Sequence, residues 1–110
     1  MSETIKFSTY RNEISVQRFG GANTELVKVM LEDVRSILND LNTAWQSDRF
    51  YCMRRTVSGM RELRDQGMTT MRLLQRADVV SASDAVKVYN EICAAYHAAY
   101  FRRGAWIKNN

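Results

Sequence analysis

Few residues in this chain could do covalent or acid–base chemistry. The candidates are the single histidine, His97, the two cysteines, Cys52 and Cys93, and the pair Ser81 and Asp84. His97 stands between Tyr96 and Tyr100 and reads as a partly buried aromatic neighbour rather than a base. The cysteines form no Cys-x-x-Cys pair and are too few for a disulfide framework, so buried free thiols and a reducing place of synthesis are expected. Ser81 and Asp84, three residues apart, resemble the capping box that opens a helix. The carboxylates are spread over polar helix faces, and no phosphate-binding glycine loop or nucleophile elbow occurs. The residues therefore predict a non-catalytic protein with no cofactor and no metal.

What must be positioned instead is a set of apolar helix faces, organised around Leu41 to Met53. Upstream, Val27, Met30, Val34, Ile37, Leu41 and Ala44 alternate three and four apart, and Leu31, Leu38 and Trp45 form a second seam beside them. Downstream, Phe50, Met53, Val57, Met60, Leu63, Met68, Met71 and Leu74 repeat a helical spacing. Between the two patterns Ser47 and Asp48 can accept hydrogen bonds from the first turn of a new helix, and Asp48 puts negative charge at its positive end. Helices are expected over 23–45, 48–77 and 81–101. A break falls near 78–82, although one kinked helix over 50–100 satisfies the same spacing. Gly59 and Gly67 each cost a helix roughly 1 kcal/mol against Ala, and mark either a close helix approach or a bend. Residues 1–22 alternate at Ile5 and Phe7 and read as an extended arm, in which Ile14, Val16 and Phe19 form a short helix or a second extended piece. Residues 102–110 form a basic aromatic tail that either folds back on the bundle or meets a membrane surface or nucleic-acid bases. The fold class so expected is all-α, an antiparallel helical hairpin with a further C-terminal helix in a single small domain.

The formal net charge of +4 is uneven. Residues 25–45 set Lys28 and Arg35 against Glu25, Glu32, Asp33 and Asp40, whereas residues 46–80 hold seven arginines against four acids. Either the two helices attract each other along a hairpin, or the basic face meets an acidic partner. In the second case Arg54, Arg55, Arg61, Arg64, Arg102 and Arg103 would contact nucleic acid. No apolar run approaches the ~18 residues of a membrane span, and the first residues lack the apolar core of a signal peptide. A soluble protein is expected.

Trp45-Gln46-Ser47, at the end of an acidic amphipathic helix and ahead of a longer one, resembles the WxG-motif helical hairpins of type VII secretion, the family of the early secreted antigens. The likeness covers about residues 22–93, and Tyr89 stands near the place of a late tyrosine in that family. It departs from the pattern at Ser47, where the family has glycine, and at Cys93, Tyr100 and Gly104, none of which supplies the acid of a Tyr-x-x-x-Asp/Glu export signal. The resemblance implies a secretion substrate, chaperone or targeting partner, synthesised in the cytoplasm and exported without a cleaved signal. It implies a homodimer or heterodimer closing a four-helix bundle, with the N-terminal export domain of a larger secreted protein as one partner. Trp45, Ser47 and Asp48 would make the turn, and Leu31, Leu38, Trp45, Phe50 and Met53 the partner interface. The competing arrangement turns Tyr89, Ile92 and Tyr96 of the third helix onto the first helix and leaves a monomer.

Overall fold

The computed structural model describes residues 3–18, 22–46 and 56–109, with the side chains of 3, 18, 22 and 23 set aside. Two strands precede three helices: β1 (Glu3–Ser8), β2 (Glu13–Arg18), α1 (Ala22–Thr43), α2 (Val57–Arg76) and α3 (Ala82–Asn109). The all-α expectation is thus corrected to a mostly helical fold with a two-stranded antiparallel sheet. The alternation at Ile5 and Phe7 resumes at Ile14 and Val16, and the register places Ile5 opposite Val16 and Phe7 opposite Ile14. The stretch between them without a pattern is the hairpin turn, closed by a 2.8 Å bond from the Thr9 N–H to the Asn12 carbonyl. Alternating apolar residues on one face of a strand pair bury that face, so Phe7, Ile14 and Val16 join the core.

α2 and α3 are separate helices. The chain leaves α2 through Asp78, whose φ of 59° lies in the left-handed region. The Val79 and Val80 N–H groups both bond the Leu74 carbonyl. Ser81 opens α3 as a cap, its Oγ accepting from the Asp84 N–H at 3.2 Å. Val79 and Val80 also run beside β2, where the Gln17 N–H donates to the Val79 carbonyl at 2.8 Å. α3 does not stop at 101 but carries the basic aromatic tail as helix to Asn109.

Contacts along the bundle fix the helix directions. Gln75, Met68 and Arg64 of α2 meet Tyr89, Cys93 and Tyr96 of α3 in reverse order, so these helices are antiparallel. Ile37 and Ala44 of α1 lie at the levels of Ile92 and Arg102, so α1 runs parallel to α3. The three helices converge at Gly67, where an added Cβ would sit 2.9 Å from Ile92 Cδ1 and 3.4 Å from Ile37 Cγ2. Of the two readings for this glycine, close approach is the one seen.

Leu31 is 4 % exposed and Leu38 fully buried within a single chain. The second seam is therefore core, and not the open edge of a two-helix hairpin. The hairpin face and α3 complete that core together. Ile92 turns inward as the monomeric arrangement required, while Tyr89 and Tyr96 face α2 instead of α1. Met60 and Met71 are fully buried, so these methionines fill the core.

Candidate interaction surface

The β-hairpin is held on the bundle by polar side chains from two helices. Glu91 on α3 is 5 % exposed. Its Oε1 accepts from the Thr9 hydroxyl and, at 2.7 Å, from Asn12 Nδ2, while Oε2 accepts from the Tyr10 N–H at 3.1 Å. One carboxylate thus caps the whole turn, using its capacity to accept several hydrogen bonds at once. Two turns earlier, Asp84 accepts from the Ser15 N–H at 3.0 Å. It does not reach back to Ser81, so the capping box is only half made. From α1, Arg35 donates to the Ser8 carbonyl at 2.9 Å and lies over the Phe7 ring at 4.7 Å, and Asn39 accepts from the Tyr10 hydroxyl at 2.7 Å.

The hydrogen bond from the Ser15 N–H, aided by Lys87, holds the Asp84 carboxyl below its ordinary pKa. A carboxyl depressed in the folded state stabilises the fold above its unfolded pKa and ceases to as pH falls through the folded one. Asp84→Asn is therefore expected to lower the urea midpoint at pH 7 and to change it little at pH 2. Equal losses at both pH values would mean that the Asp84 charge contributes nothing.

The expected turn motif is seen in part. Trp45 is half-buried just past α1, with a φ of 59° and its ring 5.1 Å from that of Trp106. Ser47 and Asp48 lie outside the described residues, as do Phe50 and Met53 of the expected partner interface, Arg54 and Arg55 of the basic face, and Cys52. Of the remaining basic residues, Arg102 closes the C-terminus of α1. It donates to the carbonyls of Ala44 (2.9 Å), Leu41 (2.8 Å) and Asn42 (3.3 Å). A cation at that end meets the negative pole of the helix and its unpaired carbonyls. Desolvation pulls the Arg102 guanidinium below its usual pKa. Arg64 lies over the Tyr96 ring at 4.6 Å and bonds Asp65. Arg61 lines a groove among carboxylates, and Arg103 is half-buried. Of these four described arginines, Arg102 and Arg64 are thus engaged within the chain.

Two surfaces remain open. The first is the outward side of the C-terminal half of α3. His97, Tyr100, Phe101, Gly104, Ile107 and Lys108 recur there at three- and four-residue intervals and are all exposed, Phe101 to 73 %. His97 is thus a surface residue, edge-on to Tyr96 at 5.5 Å. No acidic residue occurs from Ile92 to Asn109. In the tail, Trp106 folds back on Trp45 while Ile107 is exposed. The second surface is an open groove of about 930 Å³ between α1 and α2, lined among others by Asp33, Asp40, Glu62 and Asp65.

Among the described residues no cluster of histidine, cysteine and acidic side chains could hold a metal ion, and no helix is long and apolar enough to cross a membrane. Comparison with family models, curated proteins and solved structures finds no match to this chain.

Proposed function

We propose that this protein is a non-catalytic interaction module whose contact surface is the outward face of the C-terminal half of α3. The observation that carries this reading is Phe101, 73 % exposed on a helix face that is largely apolar and carries no acid. Burying a large aromatic side chain is worth roughly 1.5–3 kcal/mol, and aromatic and arginine anchors dominate protein interfaces. Exposed apolar anchors two turns apart on one helix face, here Tyr100 and Ile107, are also the form in which helices dock into grooves.

The narrower reading, a WxG-like substrate, chaperone or targeting partner in type VII secretion, is supported by the resemblance around Trp45. It needs a partner that binds elsewhere than Leu31 and Leu38, which lie in the core. The nucleic-acid alternative has less support, because Arg102 and Arg64 are engaged within the chain.

A photo-cross-linking amino acid placed at position 101 tests the reading in cells, with the exposed Ser83 as the control position. Protein adducts are expected from 101 and not from 83. Mass spectrometry of those adducts then decides whether a secretion component is among them. No adduct at 101, or equal labelling at both positions, would refute the assignment of this face.

A further inference from the structure

The acidic face that would suit the α3 surface is present on the same chain, in the α1–α2 groove, whose apolar mouth lies at the other end of the bundle. Leu26 is 58 % and Val29 51 % exposed, one turn apart on α1, with Asp33 on the next turn. Glu25 and Glu32 flank this seam. Asp33 also lines the α1–α2 groove, so the apolar pair continues directly into that acidic channel. On α2 the exposed Leu73 stands one turn beyond Thr69 and Thr70 of the groove wall, towards the same end. The groove thus opens on three exposed aliphatic side chains and is lined by carboxylates, of which Asp33 and Asp40 come from α1.

The C-terminal half of α3 is the complement. It presents Tyr100, Phe101 and Ile107 together with His97 and Lys108, and it carries no acid. Gly104 lies in the middle of this face. A glycine inside a helix is a weak choice unless small size is needed, and a Cβ at Gly104 would meet nothing within 4 Å. Gly67 is explained by the approach of Ile92, whereas no contact among the described residues explains Gly104. Its position between Phe101 and Ile107 lets another helix come close at that point.

We infer that the α3 face of one copy docks in the α1–α2 groove of a second copy, so that the protein associates head to tail. This rests on the reading of the α3 face as a contact surface and names its occupant. Charge complementarity selects the second copy, because one chain carries both a face with Lys108 and no acid and a groove that sets Asp33, Asp40, Glu62 and Asp65 against Arg61. α1 and α3 run parallel, so Leu26 and Phe101 lie towards opposite ends of a molecule 57 Å long. One copy therefore cannot close the contact on itself. Two different faces in contact make either an open head-to-tail chain or, in two antiparallel copies, a reciprocal pair of contacts. The exposed apolar area is modest against a standard interface, so the association is weak and falls with ionic strength.

Sedimentation velocity of the full chain over a concentration series tests this, with two variants that each disable one face. Leu26→Asp/Val29→Asp alters the head and Phe101→Asp the tail; all three side chains are exposed, and circular dichroism checks that both variants stay folded. The wild type is expected to show an average sedimentation coefficient that rises with concentration, less so at high salt. Each variant alone is expected to remain monomeric. Their equimolar mixture is expected to form a two-chain species and nothing larger, because one intact head meets one intact tail. A monomeric wild type, a variant that still associates by itself, or a mixture that stays monomeric would overturn the proposal. Adducts from position 101 to another protein, with a monomeric wild type, would overturn head-to-tail association and leave the contact surface standing.

Discussion

Leu38→Glu is expected to abolish folding of the chain on its own. Leu38 is fully buried within one chain and sits in the same core as Val34, Leu41, Met60 and Ile92. Removing a buried leucine side chain costs about 2–5 kcal/mol. Placing a carboxylate in the space adds the penalty of burying a charge with no partner, which is again several kcal/mol. A small domain is stable by only about 5–15 kcal/mol in all, so the sum reaches or exceeds the whole. Circular dichroism of the purified variant should lose most of its helical signal, and Leu38→Ala should stay folded with a lowered urea midpoint. A Leu38→Glu chain that keeps its fold and its cooperative transition would place Leu38 at a surface. That is the outcome a bare helical hairpin with an open second seam would give.

The two arrangements diverge at this residue because helical periodicity reports that a face is buried without saying by what. The spacing of Leu31, Leu38 and Trp45 marks a wide apolar stripe on α1, and a stripe that wide needs more than one neighbour. A partner chain, a third helix and a strand pair all satisfy that need. The missing neighbour is encoded in Ile5, Phe7, Ile14 and Val16, two short alternating runs. Tyr10-Arg11 at the turn has none of the Asn-Gly or Gly-rich character that announces a two-residue hairpin loop. The turn is held by its own Thr9 and Asn12 and by Glu91, which lies 82 residues after Thr9. No local pattern contains that information. Helix existence, by contrast, was plain in the spacing, and so was the Ser81 cap, since both depend on residues within a few positions of one another.

The surface was legible in the same uneven way. The mix of aromatic and basic residues after Tyr100 is visible in composition, but which of them is spent inside the fold is decided by tertiary contacts. Arg102 is consumed by the carbonyls at the end of α1, and Trp106 by Trp45. Phe101 and Ile107 point outward from the adjacent positions. A helix advances about 100° per residue, so neighbours in sequence part company on its surface. The charge asymmetry is compatible with an attraction between the first two helices or with a basic face that meets an acidic partner. Yet the ion pairs seen on those helices are local, Lys28 with Glu25 and Arg64 with Asp65. Exposed pairs of this kind contribute little stability.

The second large effect is expected at Glu91. Glu91→Ala removes the acceptor for the Thr9 hydroxyl, the Tyr10 N–H and Asn12 Nδ2 together. Hydrogen bonds to a charged group contribute about 1.5–3 kcal/mol each, and donors stranded away from water add their own cost. Because the three share one acceptor and sit at the partly exposed hairpin turn, their losses do not add in full. A net loss of about 2–4 kcal/mol is expected, at the upper end of ordinary point substitutions. Its distribution is the sharper test. Phe7, Ile14 and Val16 still bury their side chains, and Leu63, Met71 and Leu74 keep α2 in the core without help from the turn's hydrogen bonds to Glu91. Hydrogen exchange should therefore quicken first at the amides of Ile14, Ser15 and Val16, with α2 protected until global unfolding. The conservative variant Glu91→Gln keeps one acceptor oxygen but turns an amide N–H towards the donors, so it should fall between wild type and alanine. Uniform loss of protection over hairpin and helices would show that the strands and the bundle open as one unit. A Glu91→Ala urea midpoint within error of the wild type would show that water replaces the carboxylate at no cost, and that Arg35 and Asp84 suffice to hold the hairpin on the bundle.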